Sequence, residues 1–127
     1  MNSLDDFISI SHTDKKLFLA WAPNKIGIDI ENRNRKFNAN SLVSRFFKED
    51  EKKELSIYEN SILREEVLKY WMIKESAFKW QSTKKSTDFF QWEWLKKSGF
   101  AIHNKKGLKV KTFLHCAEDY YFAIAYN

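Results

Sequence analysis

Hydrophobic and polar positions change period twice along this chain. From Phe7 to Ser11 apolar and polar residues alternate, and Lys16 to Ala22 is a second short apolar segment followed by a Pro23-Asn24 turn. Lys25 to Glu31 repeats with period two, placing Ile26, Ile28 and Ile30 on one face and Gly27, Asp29 and Glu31 on the other. These three segments predict strands of a short-looped antiparallel meander. From Asn40 to Trp80 the spacing becomes helical. Asn40 or Ser41 is the candidate cap of a short helix through Phe47, and Lys48 to Ile57, rich in Glu and Lys, reads as an exposed second helix. A long helix is predicted over about 61–80, with Ser61 as its cap and Glu65 and Glu66 near its positive end. On it Leu63, Val67, Tyr70, Ala77 and Phe78 form most of an apolar stripe, while Trp71, Glu75 and Lys79 recur at i, i+4 and i+8 on a neighbouring one. Strand patterning returns over Phe89 to Leu95, Phe100 to His103, Lys109 to His115 and Tyr120 to Tyr126. Strands, then helices, then strands predict an α+β fold, an antiparallel sheet packed against the long helix with short helices between strands.

The 127 residues suit a single domain, 1–127. A 43% apolar and 17% aromatic content supports a compact core. With 31% charged residues and no apolar run near the ~18 a membrane helix needs, no membrane partner is expected. Met1 to Asp6 lacks a basic region followed by an apolar one, so no secretory signal is read there. Cys116 is the single cysteine, which excludes an internal disulfide and points to a reducing, cytoplasmic location. A net charge of +5 favours polyanionic or acidic partners. Its lysines are scattered and do not interleave with aromatics as in an RNA-binding signature, so nucleic acid is not expected.

Chemistry concentrates in two fragments, Gly27-Ile28-Asp29-Ile30-Glu31 and Trp71-Met72-Ile73-Lys74-Glu75-Ser76-Ala77-Phe78-Lys79. Asp29 and Glu31 share a strand face, and Gly27 on that face leaves room for something to approach the backbone closely. Should Glu75 meet them, three oxygen ligands surround one point, a set suited to Mg²⁺ shared with a substrate diphosphate, with Lys79 on a phosphate. The alternative is ordinary surface pairing: Asp29 and Glu31 with Arg33, Arg35 and Lys36, and Glu75 with Lys79 for only ~0.3–0.5 kcal/mol.

Taken together the fragments resemble the 4′-phosphopantetheinyl transferase superfamily, whose signature is a Gly-x-Asp strand followed by Trp/Phe-x-x-Lys-Glu-Ser/Ala and a further lysine. Ile10-Ser11-His12-Thr13 is similar to an Ile-Ser-His-Ser element of the surfactin-type branch, and Phe46-Phe47 before Lys48-Glu49-Asp50-Glu51 sits where that branch has a Phe-rich helix end. The resemblance implies transfer of the phosphopantetheine arm of coenzyme A to a serine of an acidic apo carrier protein, releasing 3′,5′-ADP. It implies Asp29, Glu31 and Glu75 on Mg²⁺, Glu75 and Lys79 as catalytic, and His12, Lys74 and Lys79 on coenzyme A. Trp71 is read as a packing residue that positions Glu75.

The motif order is surfactin-like, whereas the length matches the short holo-acyl-carrier-protein synthase branch. That combination implies a homo-oligomer, dimer or trimer, with coenzyme A at an interface. The glycine often found soon after the last lysine is absent from Gln81 to Thr87. A non-catalytic module binding coenzyme A or a carrier protein is the competing expectation. Carrier docking is expected over Asn40 to Tyr58, around Arg45.

Overall fold

A computed structural model describes residues 6–127. Of Met1 to Asp6, read above as carrying no secretory signal, all but Asp6 lie outside the described residues. The elements in order are β1 (Phe7–Thr13), β2 (Lys16–Ala22), β3 (Ile26–Asn32), α1 (Ala39–Phe46), α2 (Glu49–Leu55) and α3 (Asn60–Gln81). A 3₁₀ turn over Ser86–Gln91 then leads into β4 (Trp92–Leu95), β5 (Phe100–His103), β6 (Lys109–Ala117) and β7 (Tyr120–Tyr126). The α+β architecture, the antiparallel sheet and the long helix are as the patterning predicts. Among the described residues no helix is long and apolar enough to cross a membrane.

The first three strands do not form one meander. β1 pairs with β2 as a hairpin, while β3 pairs with β7 at the edge of a five-stranded antiparallel sheet ordered β3-β7-β6-β5-β4. The reason lies in side chains rather than backbone. The Ser9 and Ser11 hydroxyls of β1 accept from the Ile28 and Ile30 N–H groups, both at 3.1 Å. Those donors at the sheet edge would otherwise lack partners. Serine oxygens thus take the place of a neighbouring strand.

Helix α3 lies across the inner face of the sheet, and small residues let it approach closely. A Cβ added at Gly27 would stand 1.9 Å from the Ser76 carbonyl oxygen and 2.5 Å from the Trp80 nitrogen. The close approach read from this glycine is therefore made by the helix backbone. Ala77, Ala123 and Ala125, each fully buried, occupy the same helix–sheet seam, and Val67, Ile73, Tyr70 and Trp94 extend the core.

Three local expectations are corrected. Asn38, not Asn40 or Ser41, caps α1, its side chain accepting from the Ser41 N–H at 2.9 Å. Glu59, not Ser61, is the cap residue of α3, and it makes no side-chain cap bond. Helix α2 is not wholly exposed: Glu51 and Leu55 are buried, because Glu51 pairs with Lys74 of α3 at 2.6 Å. Glu51 also accepts from the Lys48 and Trp94 N–H groups, each at 2.9 Å, so one carboxylate joins α2, α3 and β4. A smaller shift occurs at Phe89 to Gln91, which belong to the 3₁₀ turn and not to β4.

Candidate active site

The period-two face of β3 carries Asp29 and Glu31, and the four-residue spacing on α3 carries Trp71, Glu75 and Lys79. Because Gly27 lets α3 lie directly on β3, these two rows meet. Together with Ile10, Ser11, His12 and Arg35 they line one cavity of about 370 Å³. Of the residues singled out in the sequence, His12, Asp29, Glu31, Glu75 and Lys79 are thus brought together.

Lys74 is not. It is fully buried on the far side of α3, paired with Glu51 and donating to the Trp92 carbonyl. Adjacent helical residues point about 100° apart, so Glu75 reaches the cavity while Lys74 turns into the core. The expectation that Lys74 contacts coenzyme A is corrected: its ammonium has no surface to offer.

Asp29 is the most perturbed group of the cavity. One oxygen accepts from the Ser11 hydroxyl at 2.9 Å, and the other, Oδ2, is buried with no partner. Burial pushes the Asp29 carboxyl up to about 7, against the opposing pull of Lys79, and Glu31 and Glu75 add to the rise as like charges. Glu75 is raised in the same direction, first by burial and then by Glu31, with Lys79 opposing. Glu31 is held by Arg35, four residues on. Arg35 entered the sequence reading only as a surface partner, and its position on the cavity wall is the part of the site that reading missed.

Lys79 does not form the surface pair with Glu75 that their spacing permits. Its ammonium donates to the Ile28 carbonyl at 3.0 Å and the Ile10 carbonyl at 3.3 Å, and stands 3.9 Å from Asp29 Oδ1. It thereby fastens the hairpin to the β3 edge at the floor of the cavity. Trp71 packs against Phe46 and Phe89 with centroids 5.4 and 4.7 Å away, which fixes the turn of α3 just before Glu75.

The donor set fits a divalent cation of oxygen preference. A buried carboxylate oxygen without a partner, beside two further carboxylates, leaves one acceptor that neither Lys79 nor Arg35 satisfies. Among the described residues no three acidic, histidine or cysteine side chains are grouped so that they could hold a metal ion. An ion at the unpartnered Asp29 oxygen would therefore need waters and substrate oxygens to complete its shell, as Mg²⁺ sites commonly do.

A family model described as the 4′-phosphopantetheinyl transferase superfamily matches residues 25–125. The match covers β3 through most of β7 and includes Asp29, Glu31, Glu75 and Lys79, but begins after the β1–β2 hairpin and His12. No curated protein matches the chain.

Proposed function

This chain belongs to the 4′-phosphopantetheinyl transferase superfamily, and from that premise we propose that it moves the phosphopantetheine arm of coenzyme A onto a serine of an acidic apo carrier protein. The observation that carries the reading is the meeting of Asp29, Glu31, Glu75 and Lys79 in one cavity, with a buried Asp29 oxygen left unpartnered.

In this reading the serine hydroxyl oxygen attacks the phosphorus that bears the pantetheine arm. A new P–O bond forms, the P–O bond to the bridging oxygen breaks, and 3′,5′-ADP leaves. Glu75 accepts the hydroxyl proton; burial raises its carboxyl and makes it a stronger base than an exposed glutamate. Asp29, Glu31 and Glu75 would hold Mg²⁺, which supplies charge stabilisation on the diphosphate when bound. Lys79 adds a fixed positive charge at the cavity floor, and His12, on the wall beside it, is assigned to the 3′-phosphate of coenzyme A. The +5 chain suits an acidic carrier protein, approached through the face around Arg45. The assembly is a homo-oligomer working in the cytoplasm as a holo-acyl-carrier-protein synthase.

The test is incubation with coenzyme A, Mg²⁺ and several apo carrier proteins, read by intact-protein mass spectrometry. The expected result is a gain of roughly 340 Da on the carrier. Glu75→Gln should reduce the rate about 10²–10⁴-fold while leaving coenzyme A binding in place. No gain on any carrier, with coenzyme A still bound, overturns transfer in favour of a binding module.

A further inference from the structure

Asp29, Glu31 and Glu75 line one cavity, yet the three are not disposed to hold an ion between them. Glu31 is already engaged: its Oε2 accepts from the Arg35 guanidinium. An ion pair between two exposed side chains would mean little, because ordering both long chains offsets most of their attraction. This pair is built differently. The Glu31 side chain is only 13% exposed, and the backbone that carries Arg35 is braced from several sides.

The Arg35 N–H donates to the Asn32 carbonyl at 3.0 Å, and the Asn34 N–H donates to the Asn32 side-chain oxygen at 2.7 Å. Arg64 of α3 donates from one nitrogen to the Arg33 and Arg35 carbonyls, at 2.9 and 3.0 Å. Arg33 pairs with Glu65 of the same helix at 2.8 Å, and its N–H donates to the Asp119 carbonyl at 2.8 Å. The turn after β3 is thereby fastened to α3 and to the β6–β7 turn. With the backbone fixed, less entropy is lost when the guanidinium settles on Glu31. Lys79, the other cation of the wall, is tied to the Ile28 and Ile10 carbonyls. Arg35 is less bound: its side chain is 45% exposed, and its guanidinium bonds only Glu31 among the described residues.

We infer that Arg35 is the resident counter-cation of this site, holding Glu31 in the absence of a metal ion and giving it up to a divalent cation. Arg35 therefore sets the strength and the charge selectivity of cation binding. A monovalent ion brings Glu31 no more charge than the guanidinium it displaces. A divalent ion brings one charge more and also draws on Asp29 Oδ2, the buried acceptor that neither Arg35 nor Lys79 satisfies. Arg64 is the positioning residue of the device, since it holds the turn and touches no carboxylate of the cavity. This inference rests on the cation-assisted transferase reading above and gives Arg35 a task within it.

The test is Mn²⁺ binding to the full chain without coenzyme A, read from the electron paramagnetic resonance of unbound Mn²⁺. Folding is checked by circular dichroism, and transfer is followed beside it by carrier mass. Arg35→Gln should bind Mn²⁺ about fivefold tighter than the wild type. Arg35→Lys keeps a rival charge beside Glu31 and should bind as the wild type does. Lys36→Gln removes the same charge from an exposed neighbour and should change the affinity by less than about twofold. In a Glu31→Gln background Arg35→Gln should bring no gain. Arg64→Met, which frees the turn, should tighten binding in the same direction but less. An Arg35→Gln protein that binds no tighter, a Lys36→Gln protein that matches it, or a gain that survives Glu31→Gln overturns the inference. Arg35-dependent Mn²⁺ affinity without modification of any carrier leaves the inference standing and overturns transfer. Carrier modification with an Mn²⁺ affinity indifferent to Arg35 does the opposite.

Discussion

Replacing Asp29 by Asn should make the cation-free protein more stable at neutral and alkaline pH. The side chain is buried, its Oδ2 has no partner, and its carboxyl is pushed from 3.8 to about 7, first by burial. Between those two values the folded chain holds a proton that the unfolded chain has released. The stability contributed by that proton is fully present below 3.8 and is lost as pH rises through about 7. The difference corresponds to an upper bound of about 4 kcal/mol, which relaxation of Lys79 and entry of water reduce to about 1–3 kcal/mol. Asn is the isosteric counterpart of the protonated acid and keeps an acceptor for the Ser11 hydroxyl. In urea titrations with EDTA, Asp29→Asn should exceed the wild type by about 1–3 kcal/mol near pH 8, and the gap should close near pH 4. Added Mg²⁺ should reverse the ranking near pH 8, since a cation present at 1,000 times its Kd stabilises the wild type by about 4.1 kcal/mol and the variant by much less. A gap that is independent of pH, or a variant less stable than the wild type without cation, refutes the reasoning.

Three other substitutions test the scaffold beneath the site. Gly27→Ala puts a methyl into the Ser76 and Trp80 backbone, so α3 must shift; a loss of about 3 kcal/mol or more by thermal unfolding is expected, with impaired cation binding. Lys74→Met leaves the Glu51 carboxylate buried without its ammonium and should cost about 3–5 kcal/mol in urea titrations. The coenzyme A affinity of the protein that remains folded should be unchanged by calorimetry, because Lys74 has no exposed surface. Ser82 ends α3 with φ of +58°, the left-handed conformation that a glycine adopts freely. Ser82→Gly should therefore raise stability by up to about 1 kcal/mol in the same titrations.

Much of the site was legible because two periodicities carry it. Alternate positions place Asp29 and Glu31 on one face of β3, and four-residue steps place Trp71, Glu75 and Lys79 on one stripe of α3. Gly27 marked where something must lie against the strand, although that something is the helix backbone. The caps were less legible: Asn38, Asn40 and Ser41 are all competent cap residues, and local sequence does not choose among them. The strand order was misread at its start, where a three-strand meander was expected, and beyond that was read only as far as its antiparallel class. Pairing of β3 with β7 joins opposite ends of the chain, and nothing in the Lys25 to Glu31 pattern names its neighbour.

One misreading, Lys74, and one feature the pattern left undecided, the exposed hairpin face, share a physical cause. Lys74 stands next to Glu75 in the chain, and a motif read as a string suggests a shared task; on the helix their side chains diverge by about 100°. Lys74 belongs to the core because Glu51, with its two backbone donors and the Trp92 carbonyl beside it, gives an ammonium a satisfied place there. The hairpin repeats the lesson in reverse. Alternation in Phe7 to Ser11 announces a two-faced strand, and apolar burial is the ordinary expectation. Two serine hydroxyls and the Lys79 ammonium satisfy backbone groups on β1 and β3, and this turns the apolar face outward. Periodicity reveals which residues share a face; the partners that decide whether a face is buried lie far along the chain. Lys79, the last residue of the second fragment, is one of those partners, so one side chain both places charge at the cavity floor and helps the two serines hold the hairpin face outward.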